Sequence, residues 1–460
     1  MLGGVTRSFG YNCLTPHPLL RGSDKVAALP VVAQLKASVW WAVFLMTLLA
    51  PSTHADDAKA LFEQSSGAVL QILMIDSDSE KKSSIGSGFR FGDLIATNFH
   101  VVSQGVHEPE QYRVEYIDAA GDRGRLNVVH FDVVHDLALL AYEAATAPAA
   151  HHTLQQSDRA LTKGEGLFSL GNPYDLGQTI VPGTFNGLLE TSFYQKLLFS
   201  GSLNPGMSGG PALDEDGRVI GVNVATAGNQ ISFLVPVKYL IDLVALHAST
   251  GALDQADYQQ EIERQLVADQ AFKYDLLLNH EWPTQTLGEM TVGGEISSYF
   301  KCWGNTREAG ENDALHTSID SNCSSQDNIF ISGRFQTGAI DYQYTWLESE
   351  ELNNFRMASL LGDSASHMYT RNIATEEDVT NYQCSQEFVG ADRQPEGQWR
   401  KVLCVRQYKS YPSLFDVLYL GVLLGGGDSG LSSHFALSGV TMDNALNFLD
   451  RFMGLQKWRS

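Results

Sequence analysis

Residues 201–213 read GSLNPGMSGGPAL, with Ser208 set between Gly206-Met207 and Gly209-Gly210. Small residues on both sides let the backbone turn tightly and let another backbone approach the hydroxyl. The same turn aims the N–H groups of Gly206, Ser208 and Met207 at one spot, as a developing oxyanion requires. A serine hydroxyl is inert at neutral pH without a base. Upstream, Thr97-Asn98-Phe99-His100 puts His100 at the end of an apolar stretch expected to be a strand, and His135-Asp136-Leu137 puts Asp136 just before a buried strand. Each has an ordinary reading: a glycine turn, a core histidine, a strand-capping aspartate. Their succession in one β-rich stretch reads as base, orienting carboxylate and nucleophile, with Asp132 the competing carboxylate.

Around these residues, short apolar runs recur between turn signals: AVLQILMI (68–75), LIATNFHVV (94–102), YRVEYIDA (112–119), LALLAYE (137–143), RVIGVNVAT (218–226) and ISFLVPV (231–237). Many short strands at this spacing predict a sandwich or barrel. Pro236 opens a helix on which Val237, Leu240, Ile241 and Val244 share a face. The polar, helix-prone stretch 253–280 reads as a connector. Beyond it, Ile340, Tyr342, Tyr344 and Trp346 alternate with polar residues as in a half-buried strand. DVLYLGVLL (416–424) is a further strand, and Met442, Ala445, Leu446, Leu449, Phe452 and Met453 line one face of a last helix.

Five segments in order resemble the HtrA/Deg branch of trypsin-like serine proteases. They are GSGFRFGDLIATNFHVV (86–102), HDLALL (135–140), LGNPYDLGQTIVPGTFNGL (170–188), NPGMSGGPALDEDGRVIGVNVA (204–225) and QISFLVPVKYL (230–240). The resemblance implies an all-β double β-barrel with the triad His100, Asp136 and Ser208 in the cleft between barrels. It also implies a primary pocket bordered by Leu203, Val224, Ala225, Thr226 and Phe233. That pocket has no acid to pair with Lys or Arg, so small or medium aliphatic side chains are expected to be preferred. Met207 replaces the family's usual Asn before the nucleophile, and no PDZ-like segment follows the protease. PDZ-based substrate delivery and control therefore do not carry over.

The expected organisation is a leader or anchor over 1–55, the protease over 56–248, a helical connector over 249–284 and an α+β domain over 285–460. Lys and Arg total 31 against 53 Asp and Glu, a net charge of −22, which argues against nucleic acid as a partner. Four basic residues precede a 14-residue uncharged run, ASVWWAVFLMTLLA (37–50). That run is short of the roughly 20 residues of a membrane span, and Thr53-His54-Ala55 offers a small-residue cleavage site. Cleavage would leave a charge of −25 and remove Cys13. Export to a periplasmic or extracellular space is expected, with membrane contact only if the segment is retained.

The remaining cysteines, Cys302, Cys323, Cys384 and Cys404, all lie in the last third. Four cysteines allow three connectivities. Pairing 302 with 323 and 384 with 404 closes short segments at little entropic cost. Reduced thiols or a zinc site are the alternatives, but the CxxC pairs of a zinc site are missing.

Other motifs stay bland. His151-His152 has no third ligand at a telling spacing, Gly425-Gly426-Gly427-Asp428 lacks the Lys-Ser/Thr of a phosphate loop, and DSDSEKK (76–82) lacks the Gly and Glu of a calcium loop. No metal or cofactor is needed for the implied chemistry. The expected activity is peptide hydrolysis through an acyl-enzyme, on protein or peptide substrates. Two rival readings are a binding protein on an inactive protease scaffold and an adaptor that works through its C-terminal domain.

Overall fold

A computed structural model describes residues 54–144, 152–228, 230–311, 314–364, 368–390, 398–424 and 428–459. The expected leader up to Thr53, with Cys13, lies outside them, as do His151 and the turn at 425–427. After helix α1 (His54–Ser65), six strands close the first barrel: β1 (Val69–Asp76), β2 (Lys81–Phe91), β3 (Leu94–Thr97), β4 (Tyr112–Ile117), β5 (Arg123–Asp132) and β6 (Leu137–Tyr142). Their order around the barrel is β1-β2-β3-β6-β5-β4. A second barrel closes as β10-β11-β12-β9-β8-β7. Its strands are β7 (Gly166–Gly171), β8 (Thr179–Leu188), β9 (Leu197–Phe199), β10 (Pro211–Leu213), β11 (Val219–Gly228) and β12 (Ile231–Pro236). Closure leaves no unpaired sheet edge. The strands pair antiparallel around each barrel, as hairpin-linked short strands dictate, and isolated parallel bridges join Leu154 to Phe91 and Gln156 to Val219.

One apolar stretch divides in an unexpected way. LIATNFHVV is a strand only to Thr97, and Phe99–His107 forms helix α2. Asn98 is the extended hinge between them, and Phe99, Val102 and Val106 bury the helix against the barrel. His100 therefore stands on the first turn of a helix and not at a strand end.

Helix α3 (Val237–Thr250) buries Val237, Leu240 and Leu243, while Ile241 faces solvent. Residues 258–278, expected as a connector, form helix α4 (Tyr258–Leu278), which is integral to the core. Tyr258, Ile262 and Leu266 pack on the first barrel, and Tyr274 and Leu277 pack into the C-terminal core. The helix hides its buried face from a hydropathy reading because Asp269, Gln270 and Lys273 lie on it. Lys273, 1% exposed, is held by Asp269 one turn earlier at 3.0 Å.

The C-terminal region has a small sheet of β13 (Thr284–Leu287), β14 (Met290–Gly293) and β24 (Lys457–Trp458), and a hairpin of β17 (Ile329–Ser332) and β18 (Phe335–Thr337). Its main sheet, in the order β15-β16-β19-β23-β22-β21-β20, has seven strands. They are β15 (Phe300–Arg307), β16 (Thr317–Ser325), β19 (Ile340–Glu348), β20 (Gln383–Val389), β21 (Gln398–Gln407), β22 (Phe415–Leu424) and β23 (Ser429–Val440). Tyr342, Tyr344, Trp346, Tyr419 and Phe435 line one face under α4 and the last helix, α6 (Met442–Gly454). On that helix Ala445, Phe448 and Phe452 are buried and Leu446 is not, so the inward stripe is rotated from the expected one. Strand β19 is covered on both faces: α5 (Asn354–Ser364) packs over Leu347, and Arg371 pairs with the buried Asp341 at 3.0 Å. Cys302 opposes Cys323 across β15 and β16, and Cys384 opposes Cys404 across β20 and β21; both pairs are disulfide-bonded.

A single apolar cluster joins the two halves. It contains Phe131 and Val133 of the first barrel, Ile262 of α4, Ile329, Ile331 and Phe335 of the hairpin, and Tyr408, Tyr411 and Leu414.

Candidate active site

Asp136 has a left-handed backbone (φ +57°), a conformation to which Asp is better suited than bulkier residues. Its carbonyl accepts the Asn98 side-chain amide at 2.7 Å. That twist turns its carboxylate onto the first turn of α2. Oδ1 accepts the His100 backbone N–H at 2.9 Å, and Oδ2 accepts the Nδ1–H of the ring at 2.6 Å. The proton is thereby placed on Nδ1, and Nε2 keeps its lone pair. Burial alone would lower the His100 pKa; the charge of Asp136 and its hydrogen bond outweigh burial, and the net shift is upward.

Ser208 sits in the glycine turn before β10, half-buried, with its hydroxyl resting weakly on the Val224 carbonyl at 3.4 Å. Gly206 (φ +96°) and Gly209 (φ +85°) are required there, since a Cβ would run into the Asn172 carbonyl at the first and the Ser87 carbonyl at the second. The Met207 N–H donates to the Asn204 carbonyl at 3.0 Å, and the Gly209 N–H to that of Asn223 at 2.9 Å. Among the described residues, the N–H groups of Gly206 and Ser208 have no acceptor, so two of the three expected donors remain free. Met207 itself is fully buried in the second barrel.

The turn is tied down by residues that the sequence reading left without a role. Ser87 donates its N–H to the Ser208 carbonyl at 2.8 Å and its hydroxyl to the Gly206 carbonyl at 2.7 Å. Its hydroxyl also accepts the Asn172 N–H at 2.9 Å. Asn223 donates to the Leu170 carbonyl at 3.0 Å and accepts from Ser169 at 2.8 Å. The signal for Ser87 was its place between Gly86 and Gly88, in a strand that must pass close to the serine turn.

Beside His100 opens a cavity of about 270 Å³. Of the expected pocket residues, Val224 and Phe233 line it. Leu203 is packed in the second barrel's core, and the side chains of Ala225 and Thr226 lie outside the described residues. Phe330 of the C-terminal hairpin meets the His100 ring edge-on, with ring centres 6.0 Å apart. A second histidine–aspartate pair lies near: His135 Nδ1 donates to Asp132 Oδ2 at 2.6 Å, and its ring stacks on Tyr239 at 3.7 Å. Among the described residues, no three His, Cys, Asp or Glu side chains are grouped to hold a metal.

Two closed six-stranded antiparallel barrels carrying a glycine-framed serine define the trypsin-like class of peptidase fold. The trypsin-like peptidase domain model matches residues 86–222. Protease Do-like 5 of the Arabidopsis thaliana chloroplast is 30% identical over 44% of this chain and 68% of its own length. A probable periplasmic DegP-like serine endoprotease of Marinomonas is 29% identical over 38% of this chain and 38% of its own length. The crystal structure of Deg5 superimposes at a TM-score of 0.37, with 26% identity, over 43% of this chain and 96% of that one. The chain belongs to the HtrA/Deg family of trypsin-like serine endopeptidases. It spans about two thirds of the chloroplast relative but well under half of the bacterial one.

Proposed function

We propose that this chain cleaves internal peptide bonds by a Ser208–His100–Asp136 triad through an acyl-enzyme. The observation that carries the reading is the Asp136 carboxylate engaging both the backbone and the ring of His100, next to a turn whose two free N–H groups flank Ser208. Rotation of the Ser208 side chain off the Val224 carbonyl presents Oγ to Nε2, which takes its proton as Oγ attacks the substrate carbonyl. The tetrahedral oxyanion then lies against the N–H groups of Gly206 and Ser208. Collapse expels the amine, protonated by the imidazolium that Asp136 stabilises, and water repeats the sequence on the ester.

The apolar residues Val224 and Phe233 favour aliphatic side chains next to the scissile bond over basic ones. Two disulfides and a leader-like N-terminal run support a periplasmic or extracellular site of action. A fluorophosphonate probe tests the triad. Wild-type protein is expected to label and Ser208→Ala is not; no labelling of folded wild type would return the chain to the inactive-scaffold reading.

A further inference from the structure

We propose that the β17–β18 hairpin of the C-terminal region is a wall of the peptidase's substrate site, and that Phe330 sets which substrate side chain fits beside the triad. The proposal rests on the triad reading above. The hairpin is firmly seated: Ile329, Ile331 and Phe335 are each at most 3% exposed in the cluster shared with the first barrel. Successive strand residues face opposite ways. Ile329 and Ile331 bury inward, so Phe330 between them faces out, and it faces His100. Helix α2 grips the same strand, because His107 Nε2–H donates to the Ile331 carbonyl at 2.9 Å. The element that carries the base therefore also fixes the hairpin.

Between hairpin and barrels lies the 270 Å³ cavity, with His100 and Asp136 in its wall. Val134, Val224, Phe233, Val235, Ile329 and Phe330 supply its apolar surface. The polar groups at its rim are already engaged. Asn328 donates to Gln336, Lys196 pairs with Asp327 at 2.8 Å, and Gln195 accepts from Lys238. The Lys196 charge at its rim is already paired, and most of the lining is apolar, so a charged side chain would lose water without an opposite charge to replace it and the space suits an apolar one. At about 270 Å³ it has room for an aliphatic or aromatic side chain. Because Val224 both lines the cavity and receives the Ser208 hydroxyl, the bound side chain belongs to a residue close to the scissile bond.

The experiment uses the full chain with Phe330→Ala and Phe330→Trp. It reads kcat/KM on peptides varied from Ala through Val and Leu to Phe at each position around one cleavage site. A shallow apolar pocket discriminates by roughly 10–200-fold per methylene. Phe330→Ala is expected to shift the Phe-to-Val preference at one position about tenfold toward the larger side chain, and Phe330→Trp to shift it the other way. Preferences unmoved in both variants would overturn the proposal. So would a uniform change on every peptide, which would make the hairpin a cover or a prop for His100. Fluorophosphonate labelling separates the two readings: if Ser208 neither labels nor cleaves in wild type, the triad falls and the hairpin's role with it; if Ser208 labels and the preferences stay fixed, only the hairpin's role falls.

Discussion

His100–Asp136 and His135–Asp132 are nearly the same object built twice. Each joins Nδ1 to Oδ2 at 2.6 Å, and in each the carboxylate's other oxygen takes the histidine's backbone N–H. They differ in reach. Asp132 clasps a residue three positions away and also takes the Val134 N–H, so it closes a local turn at the end of β5. Asp136 reaches 36 positions back and fixes one chain segment against another. They differ too in what the far side of the ring meets: His135 lies flat on Tyr239, while His100 is 29% exposed beside the serine turn. Both rings reach the same cavity, so a carboxylate on Nδ1 does not by itself single out a base; in the proposed triad that role falls to His100 because its carboxylate ties two distant segments together.

The largest effect expected from this difference is on turnover. Asp136→Asn should lower kcat/KM by about 10³–10⁴-fold, the scale known for such a residue in this chemistry, with Asp132→Asn within about threefold of wild type. The reverse ranking on any peptide substrate would hand the orienting role to Asp132. Next comes pH. If His100 is the base, as proposed, it acts only when neutral, and its pKa is raised, so kcat/KM should climb tenfold per pH unit to a midpoint above the usual value of about 6.5. In Asp136→Asn the raising cause is gone and burial remains, so the residual activity should have its midpoint moved down. A midpoint that stays put would show that another group controls the titration. The smallest effect is structural. Tyr239→Ala removes the ring under His135 and should cost about 0.5–1.5 kcal/mol beyond lost burial, a drop of a few degrees in the thermal midpoint. If it moved the pH midpoint as well, the two pairs would have to be coupled.

The barrels were legible because their signals are local: strands of alternating or wholly apolar residues, and glycines where the serine turn crowds its neighbours. The order His100, Asp136, Ser208 was legible because each side chain sits next to such a signal. What stayed hidden depends on distant contacts. Helix α2 begins inside an apolar run, and only packing of Phe99, Val102 and Val106 on the barrel distinguishes it from a continuing strand. Helix α4 looked like a linker because its buried face carries Asp269 and Lys273, which are tolerated there because they pair. Residues 329–335, IFISGRF, have no assignment from sequence, because three apolar residues before a Ser-Gly turn are too short a signal, and nothing in their composition says that Phe330 will meet a histidine 230 positions upstream.

The cluster that unites Phe131 and Val133 with Tyr408, Tyr411 and Leu414 sets a timetable as well as a packing arrangement. A ribosome finishes the second barrel at Pro236 and reaches Leu414 only after some 180 further residues, roughly 10–40 s at ordinary elongation rates. Through that interval the flank of the nascent first barrel is covered only in part, first by α4 and then by the β17–β18 hairpin, and the cover is complete only once Tyr408, Tyr411 and Leu414 arrive. Chaperone residence on the newborn chain should therefore end when the last third emerges, not when Ser208 has been translated, and chains truncated between these points should be less soluble than the full one.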